Sequence, residues 1–279
     1  MTHWGLLDFK DKEEGIQEVF LNVKELMEDR FKEFLSNFHD FNGSGNCDMS
    51  QVCRMEGDFL IYETESIHPK EKKNGRTPLL LLFGNPAPHS VKERMFFSYE
   101  RNWKEHRFWK VLSESGIFTL DEQIDDINER NRLKKNKLLE VTYKSPFQIY
   151  LDVFYSMPSP ATGKWSGVAG LKRLFGVNAF KRISESEKER VESLIKNHIG
   201  PKGMVLTFQN DAYERIKLEG SPDYNRKKAL AGGIKSKCKI NPQIKLYCLA
   251  PTRLMHNNLD TLKKLIETQK GNQTTSQTF

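Results

Sequence analysis

Leu79–Val91 reads LLLLFGNPAPHSV. Four leucines and a phenylalanine form an apolar run of strand length, and a strand buried in a sheet is the reading that fits. At Gly84-Asn85-Pro86 the run ends abruptly, because a proline locks its own φ and brings no N–H to a ladder. Asn85 is a common turn former before proline. A core strand that ends by holding one amide side chain on a rigid corner also suits a reactive group, since α/β sheets bind ligands outside the carboxyl ends of their strands.

Working outward, "DFLIYETES" at 58–66 predicts a strand and "HPKEKKNGRTP" at 68–78 a charged loop. Upstream, residues 13–41 carry Ile16, Val19, Phe20, Val23, Leu26, Met27, Phe31, Phe34, Leu35 and Phe38 three and four apart, which predicts a helix ended by "NGSGN". Downstream, a helix from about Trp103 packs Phe108, Trp109 and Leu112. The highly charged 120–140 is a solvent-facing helix or an insertion. "FQIYLDVFYSMPSP" at 147–160 is strand-like, and 184–200 is an amphipathic helix with Ser184 as its N-cap. "KGMVLTFQNDAYERIKL" predicts strand, turn and helix, and "IKLYCLAPTRLMHNNLDTLKKLIETQ" strand, loop and helix. The basic stretch at 224–239 reads as a solvated loop.

Strands alternating with helices from residue 79 onward predict a three-layer α/β/α sandwich with a central, mostly parallel sheet. Residues 1–75 are then an N-terminal helical extension packed on that core, 76–268 the α/β domain, and the polar 269–279 a disordered tail. Three loops, "FGNPAPHS", "YSMPSPATG" and "LAPTRLMHNN", fall at strand carboxyl ends. No Walker A, GxGxxG or HExxH pattern occurs.

The chain has 279 residues, 37% of them hydrophobic, and a formal net charge of +7, a balance that favours polyanionic partners. Cys47, Cys53, Cys238 and Cys248 form no CxxC pair and are expected to be reduced thiols. "MTHWGLLDFKDKEEG" has no hydrophobic signal core, and no apolar run approaches membrane-spanning length. The expectation is a soluble intracellular protein, cytoplasmic or, in a eukaryote, nuclear.

"GNPAPHSVKERMFFSYERNWKEHRFWKVLSESGIF" resembles the first motif region of the uracil-DNA glycosylase superfamily, most like its mismatch-specific and single-strand-selective branches. In that family a strand ends in Gly-x-Asn-Pro-Gly and "NRFWKV" follows on the next helix. This chain has Asn85-Pro86-Ala87 and then Arg107-Phe108-Trp109-Lys110-Val111. "VLTFQNDAYERI" and "IKLYCLAPTRLMHNNLDTLKKL" are similar to the family's later motifs. The resemblance covers roughly 79–118 and 200–266, and is weaker at 147–160.

The resemblance implies a DNA glycosylase with no metal or cofactor, which works as a monomer on double- or single-stranded DNA and has no membrane partner. Asn85 would orient the attacking water, and Phe97 would stack on the flipped base. Thr252 would assist at the departing base, and Leu254 would fill the hole left in the duplex with Arg253 beside it. Gly84, Ala87 and His89 would line the base pocket, Asp152 would read the base edge, and Lys164 would contact phosphate. The chain departs from the family at Phe83, Ala87 and Ala250, the last standing where His or Asn usually helps the departing base. The expected function is therefore hydrolysis of the N-glycosidic bond of a flipped uracil or other deaminated or mismatched base. The alternative is a weak or inactive glycosylase fold that binds nucleic acid or a nucleotide.

Overall fold

The computed structural model describes residues 1–44, 49–73, 75–100 and 103–275. In chain order its elements are β1 Thr2–Trp4, β2 Leu7–Glu13, β3 Ile16–Asn22, α1 Val23–Met27, α2 Phe31–Asn42, β4 Cys53–Glu56, β5 Phe59–Glu65, β6 Thr77–Phe83 and α3 Pro88–Lys92. They continue as α4 Arg107–Ser115, α5 Ile127–Glu140, β7 Phe147–Val153, α6 Gly167–Leu194, β8 Met204–Thr207, α7 Asn210–Ile216, α8 Arg226–Leu230, β9 Ile234–Lys237, β10 Lys245–Cys248 and α9 Leu259–Thr275. The protein is α/β with two five-stranded sheets, one in each of two compact units.

The first unit comprises residues 1–66, 84–96 and 153–193. Its sheet has the order β1-β2-β3-β5-β4, with every neighbouring pair antiparallel. This corrects the expected N-terminal helix. Ile16–Asn22 is a strand paired along its whole length with β5, and helix begins only at Val23. The 3.6-residue spacing of Ile16, Val19, Phe20 and Val23 is real, but the 16–22 segment also carries β-branched and aromatic side chains. Two flanking strands satisfy its backbone there, so tertiary pairing overrides the local period. Gly15, at φ 81, closes the β2–β3 hairpin in a backbone region that side chains disfavour.

Helix α6 begins at Gly167, well before the expected start at 184, and Ser184 is fully buried within it rather than capping it. The helix bends at Gly176 (φ 75, ψ 166), where a Cβ would come within 2.4 Å of Arg30 Nη1. Phe34 stacks on Phe175 at 5.4 Å, and Phe41 meets the edge of Trp165 at 6.2 Å, closing this unit's core.

The second unit comprises residues 67–83, 97–152 and 194–279. Its sheet order is β7-β6-β8-β10-β9. Strands β6, β8 and β10 are parallel, and β9 runs antiparallel to β10. Leu79, Leu80, Leu81 and Leu82 are fully buried, as the opening stretch predicts. Helix α4 is capped by His106, whose Nδ1 accepts from Phe108 N at 3.1 Å, and ends at Gly116 in the left-handed region. Helix α5 is capped by Asp126 and buries Asn131 and Lys134, so the charged 120–140 stretch is not solvent-facing all round.

The basic 224–239 stretch, expected as a loop, contains α8 and β9. Of the polar 269–279 tail, expected to be disordered, 269–275 continues α9 to Thr275, and 276–279 lies outside the described residues. Cys53, Cys238 and Cys248 are buried and form no disulfide among the described residues, and burial raises the Cys248 thiol to about 11, while Cys47 lies outside the described residues. Among the described residues no helix is long and apolar enough to cross a membrane.

Candidate functional site

Leu82, Thr207 and Cys248 stand in register at the carboxyl edge of the second unit's parallel strands. The ladder continues one step beyond them, with Phe208 N donating to Leu82 O at 3.3 Å and Leu249 N to Thr207 O at 2.8 Å. Just past this edge Phe83 sits in an aromatic cluster, 5.1 Å from Phe208, 5.3 Å from Phe108 and 5.0 Å from Phe97.

Phe97 is half-buried at φ 50, a left-handed conformation uncommon for an aromatic residue. Its ring lies 4.5 Å from Phe108 and 4.9 Å from His106, and its carbonyl accepts from Trp109 Nε1 at 3.2 Å. Helix α4 and its cap thus fix both the ring and the backbone of Phe97. Its neighbour Phe96 is buried, so of the two only Phe97 retains part of its surface.

In the same unit, Ala250 is fully buried and its N–H donates to Asn258 Oδ1 at 2.8 Å. Asn258 Nδ2 in turn donates to Ala229 O, which fastens the loop to α8. Thr252 and Leu254 are half-buried at the start of a tight helical turn, and Leu254 N donates to Pro251 O at 2.7 Å. Arg253 is exposed, and its carbonyl accepts from Arg107 Nη1 at 3.2 Å. Arg107 also holds Glu100 through Nε at 2.6 Å. That hydrogen bond brings the Glu100 carboxyl down to about 2 from an ordinary 4.5.

A depressed carboxyl stabilises the fold above its unfolded value and loses that contribution as it protonates. The stability difference between wild type and Glu100→Gln should therefore be full above about pH 4.5 and vanish as pH falls towards about 2. Urea unfolding at a series of pH values checks this; a difference that stays constant with pH would contradict it.

The Gly-Asn-Pro corner belongs to the first unit. Gly84 O accepts from Tyr155 N at 2.8 Å, and Pro86 O accepts from Ser159 N at 3.2 Å. The Asn85 amide is pinned through Nδ2, which donates to Ser159 Oγ at 2.7 Å and to Pro86 O at 3.4 Å. Among the described residues nothing donates to Asn85 Oδ1, so the oriented amide offers an acceptor. Ala87 caps the short α3 through its backbone. His89, on α3, is half-buried, and burial lowers its pKa from the ordinary 6.5, so its imidazole is neutral at pH 7.

Ser159 is the residue that sequence reasoning missed. It lies in the "YSMPSP" loop, but nothing local marks it as a partner for an amide so far upstream. A buried polar network holds that loop. Tyr62 and Ser156 share a hydrogen bond of 2.9 Å, and Ser156 Oγ donates to Glu187. Glu187 is paired with Arg190 at 2.8 Å, and Arg190 donates to Val153 O. Lys164 is exposed, with its ammonium 4.3 Å from the Trp165 ring centre.

Asp152, the expected base reader, lies near the end of β7. It is buried in the second unit, with Oδ2 2.9 Å from His68 Nε2. His68 and His198 lie 5.7 Å apart, each 5.7 Å from the Tyr150 ring. A carboxylate beside an imidazole is satisfied locally, and Tyr150 and Asp152 share one face of β7 by the two-residue period of a strand. Burial, together with the nearby His68 and Lys72, lowers the pKa of His198.

Of the site residues expected from sequence, Gly84, Asn85, Ala87, His89 and Lys164 thus belong to the first unit, and Phe97, Asp152, Thr252, Arg253 and Leu254 to the second. Within the second unit Arg107 links α4 to the Arg253 backbone. Compared with family models and with curated proteins, the chain matches none of them.

Proposed function

We propose that this chain is a DNA base-excision glycosylase with a three-layer, uracil-DNA-glycosylase-like fold. It would hydrolyse the N-glycosidic bond of a flipped uracil or other deaminated or mismatched base. The observation that carries the reading is the Asn85 amide, pinned through Nδ2 by Ser159 so that Oδ1 is available to a water. Parallel strands ending in register, with an aromatic cluster just beyond them, support it.

In this reading a water donates a hydrogen bond to Asn85 Oδ1 and is held for attack on the anomeric carbon. The bond to the base breaks as the sugar acquires oxocarbenium character, and the electron pair leaves with the base. Water oxygen then bonds to the sugar, and its proton passes to solvent. An amide is a weak base, so its role is to aim the water rather than to deprotonate it early. Charge on the leaving base is met by backbone N–H groups of the 84–90 turn and by the neutral His89.

A second reading is the same fold binding nucleic acid with little turnover. It is favoured by Ala250, which is fully buried and offers no side-chain donor where the resemblance expects one. One experiment separates the two. The purified protein is incubated with single- and double-stranded oligonucleotides carrying uracil, thymine opposite guanine, hypoxanthine or xanthine, and alkali-labile sites are counted. The first reading expects abasic sites on at least one substrate; tight salt-dependent binding with no abasic sites on any of them selects the second.

A further inference from the structure

Trp103 is the most exposed aromatic side chain among the described residues, at 57% of its accessible surface. Its ring stacks on Tyr99 with centroids 4.4 Å apart and planes 30° apart, so the indole is backed by a second ring rather than left to swing. Its φ of 55 holds it in the left-handed region. An indole kept in water on a rigid support is an unfavourable surface that a planar ligand would cover.

The charges around it are not balanced. Glu100 is held by Arg107, and Glu105 by Lys134 and Arg130. Lys104, next to Trp103, Lys110, one helical turn beyond Arg107, and Arg253, joined to Arg107 through its carbonyl, are all exposed. None of these three is ion-paired among the described residues, so Glu100 and Glu105 are neutralised from within and three cations face solvent, with exposed Glu114 four residues beyond Lys110 on α4. All of these residues belong to the second unit.

We propose that Trp103, backed by Tyr99, with Lys104 next to it in the chain and Lys110 and Arg253 joined to the same segment through Arg107, is a stacking site for an unpaired nucleobase that grips single-stranded nucleic acid. A flat π face suits any base, and the cations suit the phosphates on either side. Bases paired within a duplex present no open face, so the site favours single strands. The proposal rests on the nucleic-acid reading above and adds to it a strand preference and a second contact, apart from the reacting base.

The test is binding of a fluorescent oligothymidylate, read by anisotropy and by quenching of tryptophan emission. A single-stranded RNA, a blunt duplex and polyglutamate serve as comparison probes. Wild type should bind the single strands more tightly than the duplex and ignore polyglutamate. Trp103→Ala should weaken single-strand binding roughly ten- to a hundredfold, and Trp103→Phe should keep most of it. Lys104→Glu with Lys110→Glu should flatten the dependence of log K on log salt by about 1.4, two phosphate contacts at about 0.7 each. Equal affinity of Trp103→Ala and wild type, or duplex or polyglutamate bound as well as single strands, overturns the proposal. Base excision with Trp103-independent binding overturns this inference alone. Trp103-dependent binding without excision overturns only the hydrolytic reading, and no binding to any nucleic acid overturns both.

Discussion

Asn85→Ala should lower the single-turnover rate of base release by about a hundred- to ten-thousandfold, the range associated with losing a positioned group in the transition state. Binding of the substrate strand should change little, because the reading gives Asn85 no contact that anchors DNA. The geometry makes a finer expectation possible. Asn85 Nδ2 donates to Ser159 Oγ and leaves Oδ1 as the acceptor. Asn85→Asp keeps an acceptor oxygen, and the Ser159 hydroxyl can turn to donate to it, so this variant should retain more activity than Asn85→Ala. Ser159→Ala removes the pin but not the amide, and should cost about ten- to a hundredfold through misplacement of the water. Rapid-quench release of the base under enzyme excess checks all three. If Asn85→Ala keeps the wild-type rate, Asn85 does not aim the water.

Arg190→Ala should destabilise the protein by about 3–5 kcal/mol, the range for stranding one partner of a buried ion pair. Glu187 is 1% exposed and its carboxylate faces Arg190 at 2.8 Å, so removing the guanidinium leaves a buried charge with only Ser156 to meet it. Arg190 also donates to Val153 O and Phe154 O at the start of the loop that carries Ser159, so the variant unfastens that loop as well as the pair. Replacing both partners with methionine removes the stranded charge and should recover part of the loss. Equilibrium urea unfolding of the single and double variants checks this. A double variant no more stable than Arg190→Ala would mean that the loop contacts, not the ion pair, dominate. A loss below about 1 kcal/mol for the single variant would mean that the charge is hydrated after all.

The local parts of this protein follow from its near-neighbour pattern. The buried strand at Thr77–Phe83, the corner at Asn85-Pro86, the helix around Phe108 and Trp109, and the final strand, loop and helix were legible because each is specified by near neighbours. Apolar runs, a proline's fixed φ and helical spacing act over a few residues. Asn85 stood out for the same reason, as an amide on a rigid corner.

The other features depend on contacts between segments far apart in the chain. Ile16–Asn22 carries a helical period yet is a strand, because β2 and β5 supply backbone partners on both sides. Ser184 looks like a cap but lies mid-helix, because the helix starts at Gly167. The two partners that give the candidate residues their chemistry come from far along the chain: Ser159 is 74 residues from Asn85, and His68 is 84 residues from Asp152. A hydrogen bond across such a separation leaves no periodicity or spacing to read. It forms because a buried or half-buried polar group must find a partner once packing removes water, and packing alone determines which partner is within reach.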